Sequence, residues 1–214
     1  MDTDELIAAL AADDVPAKRP HLLWRVAFGL AVSLVLLLVF WGMRPGWPGM
    51  LMMAPLLVKQ SLPILVALAA WPLLRRSDPE AQAPLWPLWL LAGVSAAGWA
   101  LSVLGGGDIL GQTLWACLLS IPALALPIAL ALFRGLRHRV ETRPARSGLL
   151  AGLFSGGAAA AVYAVHCDED SAAFFLLWYG LAIVLCGLVG RMAGRRCRRT
   201  APCRDTAGCG PRCR

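Results

Sequence analysis

Six apolar stretches, each long enough to cross a bilayer, leave this chain very few ways to fold. The hydrocarbon layer of roughly 30 Å takes about 20 helical residues. Runs of that length lie near Leu23–Gly42, Leu51–Leu73, Leu85–Leu104, Leu110–Leu132, Leu149–Val165 and Ala172–Ala193. Inside lipid every backbone amide needs a protein partner, so only helices and closed barrels can span. Barrel strands alternate in polarity along their length, and these runs do not. The expected fold is all-α, a polytopic bundle of six transmembrane helices. Composition agrees, with 58% of the 214 residues hydrophobic and 15% charged, against about 45–50% and about 25% in soluble domains. The first run starts after 22 residues and no small-residue cleavage site follows it. It therefore reads as a retained span, not a signal peptide.

Basic residues set the expected orientation. An even number of spans puts both termini on one side. With them go Lys18, Arg19, Arg25, Arg75 and Arg76, the arginines between Arg134 and Arg146, and the eight from Arg191 to Arg214, in all 18 of the 20 Lys and Arg residues. Arg44 faces the opposite side and Lys59 lies within the second run. Lys and Arg stay in the cytoplasm during insertion, so both termini are expected there. The net charge of +7 is thereby explained as a topology signal, with no need for direct nucleic-acid binding. The layout is a cytoplasmic segment over residues 1–22, a membrane domain over 23–193, and an Arg- and Cys-rich cytoplasmic tail over 194–214 expected to be disordered.

With that orientation, the gap between the last two runs, His166-Cys167-Asp168-Glu169-Asp170, faces outward. Cys117 follows Thr113 by four residues, about 6 Å along a helix, so it shares the level of Cys167. Cys186 lies about 21 Å deeper by the same count. Since a disulfide needs Cα atoms within about 7 Å, depth permits Cys117–Cys167 and forbids Cys167–Cys186. Cys186 reads as a small apolar filler. The acidic turn has two readings. It caps the sixth helix together with Ser171, or it serves a reactive site in which Cys117, Cys167 and His166 are candidate ligands for a soft or borderline metal ion or the two thiols respond to oxidants. An imidazolium at His166 would lower the Cys167 pKa, and the three acids would raise it.

Elsewhere, the leader MDTDELIAALAADDVPAKRP has Thr3 as N-cap, Asp4 and Glu5 in the first turn and Pro16 as terminator. Leu6, Ile7 and Leu10 share one face. Such an acidic amphipathic peptide suits the groove of a protein partner, where anionic lipid would repel it; a leader that docks nowhere is the plain alternative. Lys59, beside Gln60 and Ser61, is placed near the membrane centre. A charge there faces the bundle interior, pairing with a carboxylate, taking part in conduction or holding helices together. Pro122 and Pro127 favour kinks in the fourth run. The tail cysteines Cys197, Cys203, Cys209 and Cys213 lack the CxxC spacing of a zinc ribbon.

Four segments, TDELIAALAADDVP, CLLSIPALALPIAL, AGLFSGGAAAAVYAVHCDEDS and FFLLWYGLAIVL, resemble the negative regulator of sigma-F family, six-span anti-sigma factors of the bacterial inner membrane. The likeness covers about residues 1–196 and leaves out the four-cysteine tail. It implies a regulator that holds an extracytoplasmic-function sigma factor and frees it under heavy-metal or oxidative stress. On that likeness Cys117 and Cys167 are the sensing pair. Asp4, Leu6, Ile7 and Leu10 are the sigma contact, and no resident cofactor is expected beyond a transient heavy-metal ion. Two rivals fit less well. A small metal transporter should show inverted repeats or polar-lined broken spans, and a thiol oxidoreductase should carry an exposed CxxC. No Ser/His/Asp, zinc-protease or phosphate-loop arrangement is present, so an enzyme is not expected.

Overall fold

The computed structural model describes residues 22–46, 54–75, 84–136 and 143–200. These are all-α, with six helices: α1 Leu22–Phe40, α2 Ala54–Arg75, α3 Trp86–Leu104, α4 Leu114–Leu136, α5 Pro144–Tyr163 and α6 Ala172–Thr200. Four are long and apolar enough to cross a membrane by length and composition, namely α1, α3, α4 and Ala172–Arg196 of α6. That is the pattern of a multi-pass membrane protein. The leader with Asp4, Leu6, Ile7 and Leu10 and the tail cysteines Cys203, Cys209 and Cys213 lie outside the described residues.

The two helices that hydropathy ranks lower have physical reasons for it. Helix α2 carries Lys59 and Gln60 and two internal prolines, Pro63 and Pro72. Helix α5 is built from Gly, Ala and Ser because it is the centre of the bundle: Ala151, Ser155, Ala159 and Ala160 are fully buried, and it packs against α1, α2, α4 and α6. A helix surrounded by protein meets little lipid, and close backbone approach favours small residues over oily ones. Its seam with α6 is the tightest among the described helices. A Cβ on Gly148 would overlap the carbonyl of Gly190, and one on Gly152 would overlap the carbonyl of Cys186. Helix α3 is the opposite case. It has no buried residue and exposes Trp86, Trp89, Leu90 and Val94, packing mainly along α6 and α2.

A substitution tests the seam. Gly152→Val should force α5 and α6 apart and lower stability by about 1–3 kcal/mol or more, the usual range for overpacking. Gly93→Ala, where nothing lies within 4 Å, should leave it unchanged or slightly raised. Thermal unfolding of the full-length protein in detergent reads the difference.

The helices start and stop a few residues away from the apolar runs. Lys59 of α2 departs from its expected place: its ammonium bonds to the Cys167 and Glu169 carbonyls in the loop after α5, which puts the charge at one end of the bundle and not near the membrane centre. Helix α6 also continues past Ala193 to Thr200. Between the two prolines inside α4, Pro122 and Pro127, the Leu124 carbonyl accepts from the Ser33 hydroxyl of α1 at 2.6 Å.

Candidate functional site

Three loops gather at one end of the bundle. They follow α1 (residues 41–46), α3 (105–113) and α5 (164–171). The last is formed first by backbone bonding. Past Tyr163 the chain keeps winding, with Val165 N–H donating to Val162 O (3.3 Å), His166 N–H to Tyr163 O (2.9 Å) and Cys167 N–H to the same oxygen (3.2 Å). That extra turn folds the Cys167 side chain back over the helix end, where it is buried. Opposite it, the first turn of α4 bonds Cys117 N–H to Thr113 O and buries Cys117 completely. The two sulfurs stand 3.9 Å apart. Both are free thiols, and Thr113 Oγ1 lies 4.0 Å from the Cys117 Sγ. Tyr163 and Tyr179, both buried, pair beside them with ring centroids 6.2 Å apart. The expectation of a shared level is thus matched by contact distance. Cys186 lies elsewhere, against Gly152 and Gly156 of α5.

The acidic turn does more than cap a helix. Arg44 grips Asp170 with both terminal nitrogens, at 2.9 and 3.0 Å, and its Nε lies 3.2 Å from Asp168. Arg44 N–H also donates to Val165 O. Glu169 Oε1 accepts from Gln112 N–H at 2.8 Å. Ser171, expected to cap α6, donates its hydroxyl instead to Asp108 O at 2.7 Å. Trp178 of α6 donates to Ile109 O. In the α3–α4 loop Gly111 has φ +53° and lies against the Phe174 ring, which leaves no room for a side chain. Each loop therefore holds its neighbours, and the 167–171 segment is the hub. Arg44 is the member that sequence reasoning missed. Its signal was that the positive-residue count put it, unlike the other arginines, on the side expected to carry the thiols.

Lys59 completes the site from α2. Its side chain is fully buried. Its ammonium donates to Cys167 O at 2.7 Å and Glu169 O at 2.6 Å, and lies 3.7 Å from Asp170 Oδ1. Of the roles open to it, pairing with a carboxylate and holding the bundle together are the ones its contacts match. Next to it Gln60 donates to Ala161 O, tying α2 to α5.

The electrostatics follow these contacts. The Cys167 thiol is held below its ordinary pKa, first by its hydrogen bond with the Cys117 thiol. Burial opposes this, and the Lys59 ammonium assists it. The cation beside the sulfur is therefore Lys59, where the sequence had suggested His166. The Arg44 hydrogen bond, against some desolvation, holds Asp170 below the usual carboxylate range, and Asp170 in turn raises Arg44. A depressed carboxylate contributes stability above its unfolded pKa and loses it as pH falls through the folded value, so this clasp weakens only in acid. His166 turns its ring to Tyr163, with centroids 5.8 Å apart. No group of three or more His, Cys, Asp or Glu side chains among the described residues is placed to hold a metal ion. The structure thus joins Cys117 with Cys167 but does not bring His166 in as a third ligand.

A family model described as "Negative regulator of sigma F" matches residues 9–199. The anti-sigma-F factor NrsF of Caulobacter vibrioides is 34% identical over 211 residues, covering 91% of this chain and 98% of that protein. The probable anti-sigma-F factor NrsF of Azospira oryzae is 29% identical over 208 residues, covering 91% and 97%. No solved structure matches.

Proposed function

Because the chain belongs to the negative regulator of sigma F family, whose members are anti-sigma factors and not enzymes, we propose that it holds an extracytoplasmic-function sigma factor at the bacterial inner membrane and frees it when Cys117 and Cys167 meet heavy-metal or oxidative stress. The sigma factor is bound on the cytoplasmic side, with Asp4, Leu6, Ile7 and Leu10 of the leader as its contact. The six helices all span, and the thiol end faces the periplasm. Charge supports that orientation. Arg75, Arg134, Arg143, Arg146, Arg191, Arg195 and Arg196 fall at the far end of the bundle, whereas Arg44 and Lys59 at the thiol end are both engaged with the acidic turn.

One observation carries the sensor reading: two free, buried thiols 50 residues apart in sequence stand 3.9 Å apart. A disulfide bond is about 2.05 Å long. A shift of about 2 Å in a loop would therefore close it, with two electrons and two protons leaving to an oxidant. Bacterial envelopes provide oxidising conditions on the outer side. Soft metals reach the same pair through thiolate affinity.

Detergent extraction of the full-length protein tests the reading. A sigma factor should co-purify under reducing conditions and be lost after treatment with diamide or cadmium. Purification without a sigma factor, or a hold that neither reagent loosens, would overturn it.

A further inference from the structure

Away from the thiols, the glycine seam holds arginines of two helices side by side. A Cβ on Gly194 would overlap the Pro144 carbonyl, and one on Gly190 would overlap the Gly148 carbonyl. The backbones of α5 and α6 therefore touch at both points. Arg143 and Arg195 flank the first contact, and Arg191 flanks the second. All three are exposed, and Arg146 and Arg196 add their charges nearby. Like charges so close repel, yet the seam keeps the helices from splaying. Helix α5 also starts here with no acid in its first turn and no side-chain cap, so its dipole adds the same sign. The four carboxylates among the described residues, Asp108, Asp168, Glu169 and Asp170, lie in the loops at the thiol end. Retention of Lys and Arg during insertion accounts for the side on which these arginines fall. It does not account for their packing against one another.

Depth identifies what these charges meet. Counted from the thiol end, Arg191 lies about 28 Å and Arg195 about 34 Å along α6, and Arg143 about 30 Å along α5. The hydrocarbon layer is roughly 30 Å thick, and headgroups bring the bilayer to about 40–45 Å. All three residues thus sit at the level of the lipid phosphates, and a guanidinium fork matches phosphate geometry. We propose that this end of the α5–α6 seam binds the phosphate of an anionic phospholipid, with Arg143, Arg191 and Arg195 as its contacts. A zwitterionic headgroup brings its own cation and would not offset the crowded arginines, whereas the net negative headgroup of phosphatidylglycerol does. The proposal rests on the reading that α5 and α6 span the membrane. The acidic leader of this chain is the rival occupant.

Thermal unfolding of the full-length protein in a neutral detergent tests this, with added phosphatidylglycerol, phosphatidylcholine or inorganic phosphate. Phosphatidylglycerol at about ten times its dissociation constant should raise Tm by about 3–6 °C, and the other two should raise it far less. Arg143→Gln/Arg195→Gln should lose most of that shift, while its Tm without lipid stays level or rises because repulsion is relieved. A merely structural role for these arginines would lower that Tm instead. Arg75→Gln/Arg134→Gln removes the same charge from α2 and α4 and should keep the shift. A shift of equal size with phosphatidylcholine or inorganic phosphate overturns the proposal. So does an equal loss in both double variants, which would mean attraction to the membrane surface only. A shift seen only after deletion of residues 1–14 overturns it too, by giving the seam to the leader. Should Arg143→Gln/Arg195→Gln fail to fold, the comparison of the two lipids on the unsubstituted protein decides alone. Alkaline carbonate extraction judges the spanning reading separately: a protein washed from membranes fails that reading, whereas an integral protein indifferent to phosphatidylglycerol fails only this one.

Discussion

Cys167→Ser is expected to abolish release of the sigma factor, leaving its regulon at the unstressed level in the presence of cadmium or an oxidant, while membrane abundance stays unchanged. The substitution removes one sulfur and little volume. The site around it is held by contacts that the sulfur does not make: the Lys59 bonds to the 167 and 169 carbonyls and the Arg44 grip on Asp170. A hydroxyl forms neither a disulfide nor a stable soft-metal bond, so the stimulus has no partner. Cys117→Ser should give the same loss, and the double variant should be no worse than either single one, because residues acting as one unit are not additive. Cys186→Ser, remote from the pair, should respond normally. A reporter for the regulon together with a membrane blot measures all four. A normal response in both single variants would end the sensor reading.

Deleting residues 1–14 is expected to have the opposite effect, with the regulon on without stress and at a level that added cadmium does not raise further. Acidic residues flank three apolar positions at helical spacing in this segment, and a helix of that length is marginal alone, so it gains order on a partner. Replacing Leu6, Ile7 and Leu10 together with serine should reproduce the deletion, since the apolar face supplies most of the affinity. Asp4→Asn should weaken the hold only partly, as rim charges do. Continued silence in the deletion strain would move the contact to another cytoplasmic part, the Arg134–Arg146 region first.

How much of this is legible in the sequence depends on whether a property is local. The helices are legible because length and apolarity are read one segment at a time. The shared level of Cys117 and Cys167 is legible because each lies within a turn of a loop, and depth along a helix is counted in steps of about 1.5 Å; that the two belong together was what the family likeness implied. Lys59 is not placed correctly by such counting. Counting gives the depth of a backbone position and not the reach of a long side chain. A four-carbon side chain then carries the charge to a loop more than 100 residues away in sequence. Helix α5 is visible as an apolar run, but its central position is not. Hydropathy scores residues against lipid, whereas Gly148 and Gly152 are there for another backbone. Arg44 and the acidic turn show the same limit. Each is unremarkable locally, and only the folded loops reveal a bidentate pair.

The glycine seam between α5 and α6 has a mechanical consequence. Two rods whose backbones touch cannot slide past one another without their carbonyls colliding, and the hinge that joins them is the very segment bearing Cys167. A small tug on that hinge must therefore tilt both rods as a single stiff lever. With α6 extending 29 residues, about 43 Å of axis, a displacement of an ångström or two where the sulfurs sit would be delivered at the remote end as a movement of similar size.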